Sequence, residues 1–591
     1  MTYLNGPRLH FAGSFNVDVS TVNNFVTHFR DPNDPDEPGW NPAGSARWKL
    51  VDCKVTRAVH QDGTIAQTAA DDPVIGLALN QIDRAVMVDL DPEQQLASQI
   101  WGLQMQLGSP GHPAFSGAFK TTAFSDLWFD RAPTGGDAGM TAFYHSVLTG
   151  VSWGDLASSR LLTELHETSD ADLLSIKFNV DGFNQGIHVG RIVGTIGPAH
   201  TDEPAHFVLG RHCMPLDGPV GFFPALVDTQ RGKLVADFGN SLQTTSSGGP
   251  FDSTVDIEIG TGTGGDFHPL GTVPIGDGDW YEHTAGVCDF PVDRALTAAE
   301  RTQLSSTPIA VRQRIDGKVV AREGADGIHV RAEDFVYRLS ANDDEDVTLY
   351  ATRFGQPLPH ATIDLRVDLS GLQRGDPAHV LGRPGNGVTF PASINTDANG
   401  IAQFAVTAGS IDRPRDYIDG QLYGIRYSVR GSNPQQGGYA NRFNFISALV
   451  WTDFHAPADP TWNQDVQPIL SEYAQVYPVM KDIVDLADYQ SVVDNKDGLA
   501  RVFTLPQDNP HYMPVTRDLS PAKRQMILTW LETTGNAGQP NVDRTPGAAP
   551  VAAPAPAPQP ARRTAAPVPA EPAEAPGGKT LALERIGELP K

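Results

Sequence analysis

The chain has 591 residues, more than a single hydrophobic core supports, and 44 lysines and arginines against 70 aspartates and glutamates leave a formal charge of −26 at pH 7. Such a surface repels phosphate backbones and anionic lipid heads, so neither nucleic acid nor a membrane is expected as a partner. The start, MTYLNGPRLHFAG, lacks a basic stretch followed by an apolar one, and no apolar run approaches the roughly 20 residues of a spanning helix; a cytoplasmic protein is expected.

Residues 1–340 read as a large β-rich unit: short apolar runs of period two separated by glycine, proline and aspartate clusters. In SFNVDVS, Phe15, Val17 and Val19 alternate with Asn16 and Asp18, and in STVDIEIG, Val255, Ile257 and Ile259 alternate with Asp256 and Glu258. Two stretches break the alternation, DPEQQLASQIWG (91–102) and FYHSVLTGVSWGDLASSRLLTELHE (143–167), and read as helical or loop-like. Residues 347–446 carry four further alternating runs and the turn pair Asn399-Gly400, the pattern of an immunoglobulin-like β-sandwich.

From Asp465 the period becomes 3.6, and residues 460–535 form a small helical domain. Val466, Ile469, Leu470, Tyr473, Tyr477 and Met480 share one stripe, and a last helix opens at Ser520-Pro521, an N-cap followed by proline in the first turn. The plan resembles a c-type cytochrome domain, but the attachment position reads YAQVYP, without cysteine or histidine, so covalent haem is excluded and a haem-less helical fold is expected. Residues 536–578 are proline- and alanine-rich and are expected to form a disordered linker; residues 579–591, KTLALERIGELPK, form a short docking peptide. Ala582, Leu583, Ile586 and Leu589 share one helical face, and Leu583, Ile586 and Leu589 are the partner-docking residues. IGEL is similar to the I-G-x-L core of encapsulin cargo peptides, which implies a protein shell as one candidate partner and the inside of a protein compartment as a destination.

Few constellations point to chemistry. Gly260, Gly262 and Gly265 satisfy G-x-G-x-x-G, but DFHPLGTVPIG cannot open the helix that a dinucleotide site needs. Glu203 and His206 have the spacing of one di-iron pair, with Pro204 between them and no second pair. His188, His206 and His212 fall within 25 positions of one another and are the candidate metal ligands. Cys53, Cys213 and Cys288 are far apart, in no C-x-x-C pair, and read as buried inert thiols.

PRLHFAG with FNVDVSTVNN, MVDLDPEQQLASQIWG, RIVGTIGP, VLGRHCMP, ALVDTQRGKLVADFGNSL, HTAGVCDFPV and the closing YAQVYPVMKDIVDLADYQSV…HYMPVTRDLSPAKRQMILTWL resemble, in this order, the N-terminal half of the violacein-pathway iminophenylpyruvate dimer synthases, with which the chromopyrrolic acid synthases belong. The resemblance spans about residues 7 to 533. In that family a ferritin-like domain follows and carries the iron-dependent coupling of amino-acid-derived imines; here the proline- and alanine-rich tail takes its place, so the family's iron ligands have no counterpart. The implied role is auxiliary and non-catalytic, with a separately encoded ferritin-like protein as a candidate partner. The alternative is an oxidoreductase or small-molecule-binding enzyme with its site in the N-terminal β-rich unit, around His188 to Cys213.

Overall fold

A computed structural model of the chain describes residues 1–17, 47–170, 172–182, 189–262, 264–276, 278–372, 381–412, 415, 418–432, 445–533 and 539–543. The protein is mainly β. Residues 8–198 supply a twelve-stranded sheet over a core that includes Trp48, Phe115, Tyr144 and Phe178. Its central path runs through the antiparallel strands Thr141–Trp153, Leu174–Asp181, Val189–Pro198 and Arg8–Val17. Residues 211–322 build a second, eight-stranded sheet with its own core around Phe223, Phe238, Trp280 and Phe290. The stretch read as one β unit therefore contains two sheets, each with its own core.

Thr141–Trp153, expected to be helical or loop-like, is a strand, because its first eight residues are all buried. A strand covered on both faces shows no alternation. Only the end of that stretch is helical, Arg160–Thr168, capped by the Ser159 hydroxyl accepting from the Leu162 N–H.

Two five-stranded sheets share a third core, with Val347, Phe404, Ile425 and Ile446 inside, and form a β-sandwich. It begins before residue 347: Ile328–Ala332 pairs with Asp344–Arg353, and Val336–Leu339 pairs in parallel with Phe445–Val450. Asn399-Gly400 does make a turn, with Gly400 at φ 77°, where a side chain would be strained. The turn is a corner between the sheets, since Ser393–Asn395 pairs with Thr362–Val367 while Ile401–Ala408 pairs with Asp344–Arg353.

The helical region follows the 3.6-residue reading in part: the expected stripe crosses a π-helical turn, Trp462–Val466, the α-helix Gln467–Val476 and a 3-10 turn, Pro478–Asp482, so Tyr477 and Met480 lie beyond the helix. Gln467–Val476 carries Leu470 and Val476 inward, and Pro521–Glu532 starts where Ser520 Oγ accepts from the Lys523 N–H and buries Met526, Ile527, Trp530 and Leu531. Trp462, Tyr489 and Trp530 pack together at its centre, with ring centroids 5.4 to 6.1 Å apart.

The region does not end at residue 535. Residues 539–543 lie across it as a strap: the Trp462 and Asn463 N–H groups donate to Asn541 O and Val542 O, Trp530 Nε1 donates to Asn541 O at 2.8 Å, and the Tyr489 hydroxyl donates to Pro540 O at 2.7 Å. Of the linker expected from residue 536, residues 539–543 thus belong to the fold. Truncation after Asp543 is expected to shift Tm by no more than about 1–2 °C, whereas truncation after Gly535 strands the buried Trp530 N–H and costs the helical region about 1–3 kcal/mol. Differential scanning calorimetry of the two truncations checks this; equal melting would mean that the strap contributes nothing. The docking peptide, including Leu583, Ile586 and Leu589, lies outside the described residues.

Candidate functional site: a buried histidine and arginine cluster

Two of the three candidate metal ligands, His206 and His212, are buried where the two large sheets meet the sandwich; His188 lies outside the described residues. His212, in the strand Arg211–Pro215, donates from Nε2 to Val208 O at 3.1 Å and lies flat on His329 of the sandwich, ring centroids 3.6 Å apart. His206 Nε2 is 3.3 Å from Asp334 Oδ1, and its carbonyl accepts from the Ser125 hydroxyl. Each therefore has partners of its own, and among the described residues no group of three His, Cys, Asp or Glu side chains is arranged to hold a metal ion. Glu203, the other half of the di-iron spacing, pairs with the N-terminal ammonium of Met1.

The cluster contains three residues that local sequence spacing did not nominate. His145, in Thr141–Trp153, stands edge-on to Tyr3 at 4.8 Å, with Nε2 3.1 Å from Ser175 Oγ. His329 and Arg331 sit two positions apart in Ile328–Ala332, on one face of that strand. Arg331 is 2% exposed, stacks between Phe207 and Phe335 at 5.7 and 5.6 Å, and makes one long hydrogen bond, from Nη2 to Ser125 O at 3.4 Å. Three buried imidazoles, the half-buried ring of His329 and one buried guanidinium thus gather at a junction of three structural units, and the sequence signal for the last two is that His329 and Arg331 alternate with apolar Ile328, Val330 and Ala332.

Burial above all, with neighbouring positive groups adding to it, lowers the pKa of His145 and His329 well below the usual value and that of His212 to about 3. The folded rings stay neutral where the unfolded ones, with an ordinary value of 6.5, take up protons. The unfolded chain therefore binds more protons below that pH, and stability falls as pH drops through this window, for His212 down to about 3. The expected slope is up to about 1.4 kcal/mol per pH unit for each ring, with no penalty above the unfolded value. Urea midpoints measured at pH 7.5, 6.5 and 5.5 should decline between the last two, and less so when His212 and His329 are both asparagine; a flat profile would contradict the neutral cluster.

Several other buried charges are paired, while the buried Arg517 donates only to backbone carbonyls. Lys177 Nζ donates to Asp237 Oδ1 at 2.9 Å, to Asn179 Oδ1 and to Ala285 O, while the Tyr3 hydroxyl donates to Asp237 Oδ2 at 2.9 Å. Asp181 holds both Arg131 and Arg191, at 3.0 and 2.8 Å, and Asp289 holds both Arg8 and Arg231, each at 2.9 Å. Arg415 grips Asp91 with two bonds of 3.0 Å and joins the sandwich to the first sheet. The three cysteines are buried and free; burial raises the Cys53 thiol to about 12 and pushes the other two up as well. Among the described residues no helix is long and apolar enough to cross a membrane.

No protein-family model matches the sequence, and no curated protein matches it. Among solved structures, the chain has 14% identity and a TM-score of 0.17 with EndoBT-3987 of Bacteroides thetaiotamicron bound to a Man5GlcNAc product, over 24% of this chain and 37% of that one. A two-domain protein of unknown function from Bacteroides fragilis gives 11% identity and a TM-score of 0.16, over 27% of this chain and 51% of that one. The D0-D1 domain of intimin gives 10% identity and 0.15, over 38% of this chain and 89% of that one. The chain thus spans about a third to a half of the first two, and likeness at these scores carries no functional argument.

Proposed function

We propose that the chain is an auxiliary, non-catalytic β-rich protein, related to the accessory half of the imine-coupling synthases, which binds a protein partner and is carried to it by its C-terminal peptide. The observation that supports this reading best is the use made of buried charge. The pairs Lys177–Asp237 and Arg8–Asp289 tie the two large sheets together, Arg415–Asp91 ties the sandwich to the first sheet, and Arg131–Asp181 braces the first sheet's own segment. Ionisable groups committed to holding sheets together are not available as general acids, bases or nucleophiles, and a body locked in this way suits a platform. The partner is a ferritin-like protein or a protein shell in the cytoplasm, reached through Leu583, Ile586 and Leu589 at the end of the proline-rich tail.

Native co-sedimentation from the source cells tests the reading. The full-length chain is expected to travel with a large assembly, and a chain ending at Pro576 to run free. Equal sedimentation of the two would remove the peptide from the account.

A further inference from the structure

Arg331 poses a problem that its protein neighbours leave unsolved. Its guanidinium is 2% exposed, its Nε has no hydrogen-bond partner, and among the described residues no carboxylate lies within ion-pair distance of it. The carboxylates that act on it, Asp126 and Glu333, do so only from beyond ion-pair distance and have nearer partners: Asp126 accepts from Asn240 Nδ2 at 2.7 Å, and Glu333 accepts from the Ala205 N–H at 2.7 Å and faces Lys120 at 3.7 Å. Phe207 and Phe335 cover the guanidinium with π-faces, which offer a cation far less than an ion pair does. A buried cation left in this state costs several kcal/mol unless an anion reaches it.

The surrounding imidazoles supply what such an anion needs. His145 Nδ1 and His329 Nε2 are both buried and without a partner, and a neutral ring can carry its proton on either nitrogen. Ser175 Oγ can donate to His145 Nε2, which leaves the Nδ1 position of that ring for the N–H. His212 is different: its Nε2 proton is committed to Val208 O, so its Nδ1 carries a lone pair and cannot donate to an anion.

We infer that the junction is a small-anion site, in which Arg331 supplies the charge and His145 and His329 supply N–H donors to a chloride-sized inorganic anion. The site is independent of the auxiliary role proposed above. It makes the seating of the sandwich on the N-terminal sheets depend on an ion, on a protein whose −26 surface otherwise repels anions.

The full-length protein is melted in increasing sodium chloride and, at matched ionic strength, in sodium gluconate, whose anion is too large to enter. The expected result is a saturable rise in Tm of roughly 5 °C specific to chloride. Crystals grown in bromide are expected to show an anomalous peak within contact of the Arg331 guanidinium. Arg331→Met, which keeps the bulk and removes the charge, abolishes the chloride response. If that variant does not fold, the wild-type melting and the bromide peak decide the matter. Superimposable melting in the two salts, or bromide crystals with no peak at Arg331, overturns the inference.

Discussion

Replacing Asp237 by alanine is expected to destabilise the N-terminal body by about 3–5 kcal/mol, because the change leaves Lys177 as an uncompensated charge in the interior. Lys177 is fully buried, and burial already lowers its pKa against the opposing pull of Asp237. The carboxylate also accepts from the Tyr3 hydroxyl and from the Gly239 N–H at 2.9 Å, so three donors lose their acceptor at once. Lys177→Met in the same background removes the orphaned charge and should return a large part of the loss, since an apolar replacement of both partners is often close to neutral. Denaturant unfolding followed through tryptophan fluorescence measures both. A cost below about 1 kcal/mol for Asp237→Ala would mean that water reaches Lys177 and that the pair is not a clamp.

The second large effect belongs to the helical region. Trp530 is fully buried, lies 5.4 Å from Trp462 and 6.1 Å from Tyr489, and donates from Nε1 to the strap at Asn541. Trp530→Ala removes one of the two tryptophans of this small core and the anchor of the strap together, for an expected cost of about 3–5 kcal/mol. Trp530→Phe keeps most of the packing and loses only the N–H, and about 1–2 kcal/mol is expected. Calorimetry on the chain ending at Asp543 measures both variants. Equal losses would assign the whole effect to the hydrogen bond and none to the aromatic core.

The architecture was legible wherever the physics was local. Ser520-Pro521 marked a helix start because a hydroxyl cap and a proline in the first turn each satisfy a nearby backbone constraint, and Phe15, Val17, Ile257 and Ile259 marked strands because one face of each is buried. Legibility failed where partners come from afar. Thr141–Trp153 hides its period because a second layer covers its outer face, and Ile328–Ala332 belongs with the sandwich rather than with residues 1–340 because its partner, Asp344–Arg353, opens on the exposed acidic run Asp344, Glu345 and Asp346, which does not read as a strand. The strap at 539–543 was invisible within a polar, proline-bearing stretch, although Trp530, needing an acceptor for its N–H once buried, hinted that one was required.

For the candidate site the same division holds. The close sequence spacing of His206 and His212 suggested one shared ligand, whereas His206 faces Asp334 and His212 stacks on His329, both from the sandwich more than a hundred positions away. A histidine's neighbours in sequence say little about the ring that it meets across a domain junction.

The most direct test of partner docking is to fuse residues 577–591 to a fluorescent protein and image it in the source cells beside the labelled full-length chain. The expected result is that the fusion gathers where the full-length chain gathers, and that Ile586→Asp with Leu589→Asp leaves it diffuse. An unmutated fusion that stays diffuse while the full-length chain is localised would contradict delivery by the peptide.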